Sequence, residues 1–229
     1  MRKTNSFLWI FFLPLLACFM TSCNNNPPAE PKPVVTDLSM YVGDQKELPA
    51  ELAPWSSTNS FIADIQNGTL LTAKHVGQIE LNGKDSTCTL SVLPKYTYAP
   101  YKDPILTWGI SKNELKNLFG NPNDKSEDTY TYYSSDRLIT YDYYFYGEEQ
   151  VLDRVRILFD KAGKDITVDK VKAILEERYC LVETQESNPQ TTVYADCTKK
   201  EYEANKKNAT TTATVMVGWM QAVEYRCIR

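Results

Sequence analysis

The run Leu138–Tyr146, LITYDYYFY, alternates in a way that decides the fold of the C-terminal half of the chain. Successive side chains of a β-strand point to opposite faces of a sheet. Every second position of this run is apolar or aromatic and is expected to face the core: Ile139, Tyr141, Tyr143 and Phe145. Tyr144 and Tyr146 are expected on the other face with Asp142. The sequence therefore predicts a half-buried strand that presents a tyrosine platform outward.

Further strands and a helix are predicted before and after this run in the sequence. Thr129–Tyr133 and Val151–Phe159 predict strands on either side of it. Upstream, Ser111 and Glu114 form a capping-box pattern, in which each side chain accepts a hydrogen bond from a free backbone N–H. The helix is predicted to end at Gly120. We expect one apolar helix face, which consists of Leu115, Leu118 and Phe119.

The same pattern recurs further along the chain. Thr167 takes the place of Ser111 and begins a second predicted helix, Thr167–Arg178. The strand-like runs after it are Cys180–Glu186, Thr191–Cys197 and Thr211–Ile228, the last of which has room for two strands. We interpret residues 105–229 as a tandem α-β-β-β repeat that makes one α+β domain, with helices on an antiparallel sheet.

Two cysteines flank the turn predicted between the first two of these strands. If Asn188 and Pro189 form a two-residue loop, Cys180 lies opposite Cys197. Their Cα atoms would be about 4.5 Å apart, which a disulfide tolerates. This predicts a Cys180–Cys197 disulfide worth roughly 3 kcal/mol, with Cys88 and Cys227 as buried thiols. A register slip of one residue would favour Cys227 as a partner instead.

Residues 34–94 show a different pattern of short strands separated by turn residues. Asn67-Gly68 and Asn82-Gly83 are the strongest hairpin signals in this segment. In the run Ser86–Leu93 an apolar face, which consists of Cys88, Leu90 and Val92, alternates with a face of serine and threonine. Several short strands in about sixty residues favour a small all-β sandwich.

This segment resembles a group 2 bacterial immunoglobulin-like domain. The matching motifs are Val42-Gly43-Asp44, Trp55–Asn59, Ile62–Ile65, Asn67-Gly68, Ala73–Gly77 and Cys88–Val92. The resemblance implies a non-catalytic spacer or adhesive module of a surface protein, followed by a linker at residues 95–104. Trp55 is expected in its core.

The N-terminus has the composition of a secretory leader. Arg2 and Lys3 precede an apolar run, Phe7–Phe19, that is short for a bilayer span. The ending Met20-Thr21-Ser22-Cys23 resembles a bacterial lipoprotein lipobox, which implies cleavage after residue 22 and acylation of Cys23. An ordinary cleaved signal is the alternative. Residues 24–33 contain four prolines and predict an extended tether of roughly 30 Å. We expect a protein that is anchored to the outer membrane by this lipid. The sequence favours neither the periplasmic nor the surface face of that membrane.

Composition excludes several classes of function. Without Arg2 and Lys3 the chain has 23 basic residues against 29 acidic ones, and this excess of acid disfavours nucleic-acid binding. His75 is the only histidine, so a catalytic triad cannot be built in the C-terminal half. The cysteine spacing matches no zinc framework. We therefore expect no metal, no cofactor and no enzymatic activity.

Two functional hypotheses remain. In the first, the C-terminal domain binds a glycan or a protein partner on an immunoglobulin-like stalk, and Tyr144 and Tyr146 are candidate contact residues because tyrosine suits both ligands. In the second, the protein is an envelope assembly or inhibitory factor that acts through its sheet. The second follows from Trp108-Gly109-Ile110 and Leu118–Pro122, which resemble outer-membrane assembly-factor lipoproteins. The doubled arrangement is also similar to the β-lactamase inhibitory protein fold.

Overall fold

A computed structural model describes residues 36–98, 100–160, 166–186, 190–217 and 221–228. All of them belong to one compact unit, Pro33–Arg229. The leader, the tether, the lipidation residue Cys23 and the predicted loop at Asn188 and Pro189 lie outside the described residues. The described protein is mostly β-sheet, with a few short helices, as the sequence predicts in outline.

The N-terminal part contains two small sheets around a shared apolar core. Its strands are β1 (Leu38–Tyr41), β2 (Gln45–Glu47), β3 (Ser56–Ser57), β4 (Ala63–Gln66), β5 (Leu70–Ala73), β6 (Gly77–Gly83) and β7 (Ser86–Leu93). A 3₁₀ turn, Ala50–Leu52, precedes β3. One sheet has the order β1-β7-β6-β3 and the other β2-β5-β4. Trp55 is buried between them, and its indole N–H donates to the Pro49 carbonyl at 3.0 Å.

The two predicted Asn-Gly hairpins have different outcomes. Asn67 and Gly68 both have positive φ, as a type I′ turn between β4 and β5 requires. In the second hairpin Asn82 and Gly83 are still paired within β6 and β7, and the two-residue loop is Lys84-Asp85. The predicted turn position was therefore wrong by two residues. An added Cβ at Gly83 would lie 2.9 Å from the Leu52 carbonyl oxygen and 3.0 Å from the Trp55 ring. Close packing, and not a turn, accounts for this glycine.

The C-terminal part is built on one eight-stranded sheet. Its strands are β8 (Asp124–Lys125), β9 (Thr129–Tyr133), β10 (Ile139–Tyr146), β11 (Val151–Phe159), β12 (Cys180–Gln185), β13 (Gln190–Ala195), β14 (Thr211–Val217) and β15 (Gln221–Cys227). They are antiparallel in the order β12-β13-β14-β15-β11-β10-β9-β8. The strands that follow each of the two predicted helices thus share a single sheet.

Both predicted helices pack on one face of this sheet. Helix α1 (Lys112–Phe119) has the predicted capping box at Ser111, and α2 (Val168–Glu176) has the predicted cap at Thr167. Leu115, Val171 and Leu175 join the core formed by the inward side chains of the sheet. Leu118 is 63% exposed, so its predicted core position was wrong. None of the described helices has the length and apolar content to cross a bilayer.

A third helix, which the sequence analysis missed, covers the opposite face at one end of the sheet. Helix α3 (Lys199–Ala204) has its own capping box, between Thr198 and Glu201. Its Tyr202 packs against Val182, Ala195 and Cys197. The neighbouring Tyr194 is buried in the core on the other side of the sheet, as strand alternation requires.

The predicted register between β12 and β13 was also wrong. Cys180 pairs with Ala195, not with Cys197, and the pairing shifts between Leu181 and Glu183. The irregularity leaves Val182 buried in the apolar cluster beneath α3. Cys180 and Cys197 are free thiols in the structure, so it lacks the predicted disulfide. Cys88 and Cys227 are free as well, although only Cys88 is fully buried.

The segment predicted as a linker, residues 95–104, is held against the C-terminal part where it is described. The Glu177 carboxylate, just after α2, accepts hydrogen bonds from the backbone N–H groups of Lys95 and Tyr96 at 3.0–3.1 Å. The Glu177 carbonyl also accepts a hydrogen bond from the N–H of Val76, in the N-terminal part, at 2.7 Å. Tyr101 packs on the core and forms a buried hydroxyl pair with Tyr225 at 3.1 Å.

Candidate functional site

An aromatic cavity of about 300 Å³ lies between the end of α1 and the β9–β10 hairpin. Its volume is at the lower end of the range for small-molecule sites. The cavity is lined by residues from three segments that are separate in sequence: Pro100 and Lys102; Phe119, Asn121 and Asn123; Tyr132, Tyr133, Ser134, Ser135 and Tyr141. We refer to it as the aromatic cavity.

Interlocked rings form the apolar wall of the aromatic cavity. The Phe119 ring packs on Tyr132 with 5.1 Å between ring centres, and on Tyr143 with 5.7 Å. Tyr132 meets Tyr143 edge to face at 5.7 Å. Tyr143 is fully buried and anchors the cluster, whereas Phe119 is 37% exposed and Tyr133 39% exposed. The Phe119 ring therefore combines a packed position with an exposed surface.

Local backbone geometry holds these rings in place. Gly120 ends α1 with a φ of 85°, and its carbonyl accepts the Tyr132 hydroxyl at 3.1 Å. The Asn123 side-chain oxygen accepts the N–H of Tyr133 at 2.8 Å. The N–H of Lys102 donates to the Tyr141 hydroxyl at 2.9 Å. Residues 100–102 and 119–123 are thus both hydrogen-bonded to the β9–β10 hairpin beside the cavity, which gives a largely pre-formed site.

Several polar groups of the lining have no partner within the part of the chain that the structure describes. The Asn121 amide, the Ser135 hydroxyl and the Lys102 ammonium make no hydrogen bond or ion pair with other described residues. A few polar groups beside exposed rings are the usual composition of a ligand site. These groups are available to hydrogen-bond a bound molecule.

The hydroxyls of two lining tyrosines, Tyr132 and Tyr141, are neutral at physiological pH. Burial raises the pKa of Tyr141 to about 12, and burial also raises the pKa of Tyr132 above its ordinary value. Desolvation disfavours the charged phenolate, which accounts for both directions. The two side chains can therefore donate and accept hydrogen bonds, and they remain protonated through the physiological range.

The sequence-predicted contact residues lie elsewhere, on the outward face of the sheet. Tyr144 is half-buried there, with the guanidinium carbons of Arg154 and Arg156 at 4.0 Å and 5.3 Å from its ring centre. Asp142 is buried and accepts a hydrogen bond from Arg156 at 3.0 Å. Tyr146 is 62% exposed. The structure confirms the predicted faces of this strand, and Tyr144 and Tyr146 stay predictions as contact residues.

The remaining chemistry-bearing residues form no metal centre among the described residues. No group of three or more histidine, cysteine, aspartate or glutamate side chains is placed to hold an ion there. His75 stacks on Phe61 with 3.9 Å between ring centres, and its Nδ1 lies 2.6 Å from the Phe61 carbonyl oxygen. Burial lowers the pKa of His75, which favours the neutral ring.

The aromatic cavity was not predicted from the sequence, although several of its residues lie in predicted elements. Gly120 predicts a helix end, Leu118–Pro122 carry the resemblance to assembly-factor lipoproteins, and Phe119 is expected on the apolar face of the helix. The signal in the sequence was an aromatic residue, Phe119, at the end of the predicted helix, followed by two asparagines, Asn121 and Asn123. The contribution of Lys102 carried no local signal, because its position opposite the hairpin depends on the path of residues 100–106.

Comparisons with known proteins assign this chain to no family. No protein family matches the chain, and no curated protein matches it. One solved structure, a DUF4309 family protein (YjgB) from Bacillus subtilis subsp. subtilis str. 168, is similar at 10% sequence identity with a TM-score of 0.32. The similarity covers 52% of this chain and 78% of the other. Similarity at this level assigns neither a fold nor a function to this chain.

Proposed function

We propose that this protein is a non-catalytic, lipid-anchored protein of the cell envelope that binds a glycan in the aromatic cavity. The observation that carries the proposal is the combination of a partly exposed ring, Phe119, with unpartnered polar groups around one cavity. Sugars present apolar C–H faces that stack on aromatic rings and hydroxyl groups that need hydrogen-bond partners. An aromatic wall with an amide, a hydroxyl and an ammonium group supplies both kinds of contact.

The architecture supports a display role. We infer that residues 34–94 are an immunoglobulin-like stalk, that residues 24–33 are a tether, and that Cys23 carries the lipid. We also infer that α1 with β9–β11 and α2 with β12–β15 are tandem repeats. Leu115 and Val171, which the repeat makes equivalent, are both buried against the same sheet. The exposed Leu118 has a buried counterpart, Ile174, and this is where the two copies diverge.

A second candidate function is assembly or inhibition through a protein partner, and the outward face of the sheet favours it. Tyrosine and arginine are enriched in protein interfaces. Tyr144, Tyr146, Arg154 and Arg226 lie on neighbouring strands β10, β11 and β15 of that face. The Glu224 carboxylate, however, forms ion pairs with both arginines, with Arg226 at 2.6 Å and with Arg154 at 3.6 Å. Much of the charge on this face is therefore already paired, so the aromatic cavity is the stronger candidate.

A glycan array with the detergent-solubilised full chain tests the proposal. We expect discrete glycan hits that Phe119→Ala abolishes, because the substitution removes the ring at the cavity wall. Leu118→Ala is the matched control, since it truncates an exposed apolar side chain on the same helix outside the lining. Binding that survives Phe119→Ala would count against this cavity. A protein captured from envelope extract by the wild type and lost in Tyr146→Ala would support the second candidate.

A further inference from the structure

Glu177 joins three segments of the chain at the boundary between the N-terminal and C-terminal parts. It caps the C-terminus of α2, and its carboxylate accepts hydrogen bonds from the backbone N–H groups of Lys95 and Tyr96. Both carboxylate oxygens lie within 3.1 Å of the Tyr96 nitrogen. The backbone carbonyl of Glu177 accepts the N–H of Val76, which lies between β5 and β6, at 2.7 Å. The end of α2 is thereby tied to the connecting segment and to the N-terminal part.

Packing across this boundary is sparse in the part of the chain that the structure describes. The apolar cores of the two parts are separate, and no described residue belongs to both. A cavity of about 390 Å³ lies between the parts, with Phe61 on one side and Tyr179 on the other. Lys95 also forms an ion pair with Asp44 at 3.1 Å, but these side chains are 55% and 41% exposed, and exposed pairs contribute little. The hydrogen bonds of Glu177 therefore carry much of the hold between the two parts.

From this arrangement we infer that the Glu177 carboxylate is a latch that fixes the orientation of the N-terminal part relative to the C-terminal sheet. Hydrogen bonds to an ionised acceptor are roughly twice as strong as those between neutral groups. A carboxylate at the C-terminus of a helix is opposed by the helix dipole, so the stability of α2 does not explain this residue. Lys95 and Tyr96, predicted as part of a linker, then belong to a fixed joint. The inference is independent of what the aromatic cavity binds.

Amide hydrogen exchange of the detergent-solubilised full chain, measured by NMR, tests the latch. In Glu177→Ala we expect the amides of Lys95 and Tyr96 to exchange at least about tenfold faster than in the wild type, because they lose a charged acceptor. The amide of Val76 gives the decisive measurement. Its acceptor is the backbone carbonyl of residue 177, which the substitution keeps. Faster exchange of Val76 therefore reports that the two parts have come apart at the boundary, and we expect it in Glu177→Ala.

Glu148→Ala is the matched control, since it removes the same side chain from an exposed turn between β10 and β11, and it should leave all three amides unchanged. The amides of β10 and β11 themselves report global unfolding and should stay protected in Glu177→Ala. If that variant unfolds, Glu177→Gln, which keeps an acceptor oxygen without the charge, should show the same changes at smaller size. Unchanged exchange of Lys95 and Tyr96 would overturn the inference. So would faster exchange of those two amides with Val76 still fully protected, because the carboxylate would then order only the connecting segment.

Discussion

The guanidinium of Arg154 lies over the ring of Tyr144, with 4.0 Å between the guanidinium carbon and the ring centre. Arg156 approaches the same ring at 5.3 Å and also donates to Asp142. The contacts join adjacent strands, because Tyr144 and Arg154 are directly paired between β10 and β11. Tyr144 is therefore part of a cross-strand network on the sheet surface, in addition to being a candidate contact residue.

We expect Tyr144→Ala to destabilise the protein by about 1–2 kcal/mol, because it removes the ring beneath two guanidinium groups. Tyr146→Ala should change the free energy of unfolding by less than about 0.5 kcal/mol, since that side chain is mostly exposed. Urea denaturation followed by circular dichroism measures both. Equal effects of the two substitutions would show that the cation–π contacts add no stability.

The two helices give a second pair of variants. Leu175 is buried against the sheet, so Leu175→Ala should cost about 2–5 kcal/mol through lost apolar burial and a cavity. Leu118→Ala should cost less than about 0.5 kcal/mol, because Leu118 is exposed. Both free energies come from urea denaturation. A large loss for Leu118→Ala would place that residue in the core, as the sequence had predicted.

The thiol of Cys197 should react slowly in the native protein. Burial, and then the charges of Asp196 and Glu201, raise the pKa of Cys197 to about 11. At pH 8 its thiolate fraction would be about 100-fold below that of a thiol with a pKa of 9.0, and the thiolate is the reactive form. Iodoacetamide labelling with mass spectrometry should show slow modification in the native state and fast modification in urea. Recovery of a linked Cys180–Cys197 peptide without reductant would contradict the free thiols of the structure.

The capping box of α1 predicts a pH-dependent contribution. The N–H of Ser111, and then its hydroxyl, donate to the Glu114 carboxylate and hold the pKa of Glu114 below its ordinary value of 4.5. A lowered folded-state pKa means that the stabilisation is complete above pH 4.5 and is lost as pH falls through the folded pKa. An NMR titration of the Glu114 side chain measures that value. Ser111→Ala should raise it toward 4.5, and an unchanged pKa would exclude the hydroxyl as a cause.

Features that depend only on neighbouring residues could be predicted from the sequence. The caps at Ser111 and Thr167 formed as predicted, because an N-cap bond joins residues only three positions apart. Alternation correctly assigned the inward and outward faces of β7 and β10, since strand geometry fixes side-chain direction with a period of two. The capping box at Thr198 is equally local, so the sequence contains the signal that predicts α3, although that helix was not predicted.

Which of these faces are covered, and by which residues, depends on contacts between elements that are distant in sequence. The exposure of Leu118 depends on where α1 ends over the sheet, and the place of Gly83 in a strand depends on the Trp55 ring that packs against it. The pairing of Cys180 with Ala195 combines a register that is already shifted by one residue at Gln185 and Thr191 with a second shift inside β12. The aromatic cavity likewise joins Lys102, Phe119 and Tyr133 from three separate segments. Contacts between residues distant in sequence depend on the relative placement of whole elements, which local periodicity and capping do not specify.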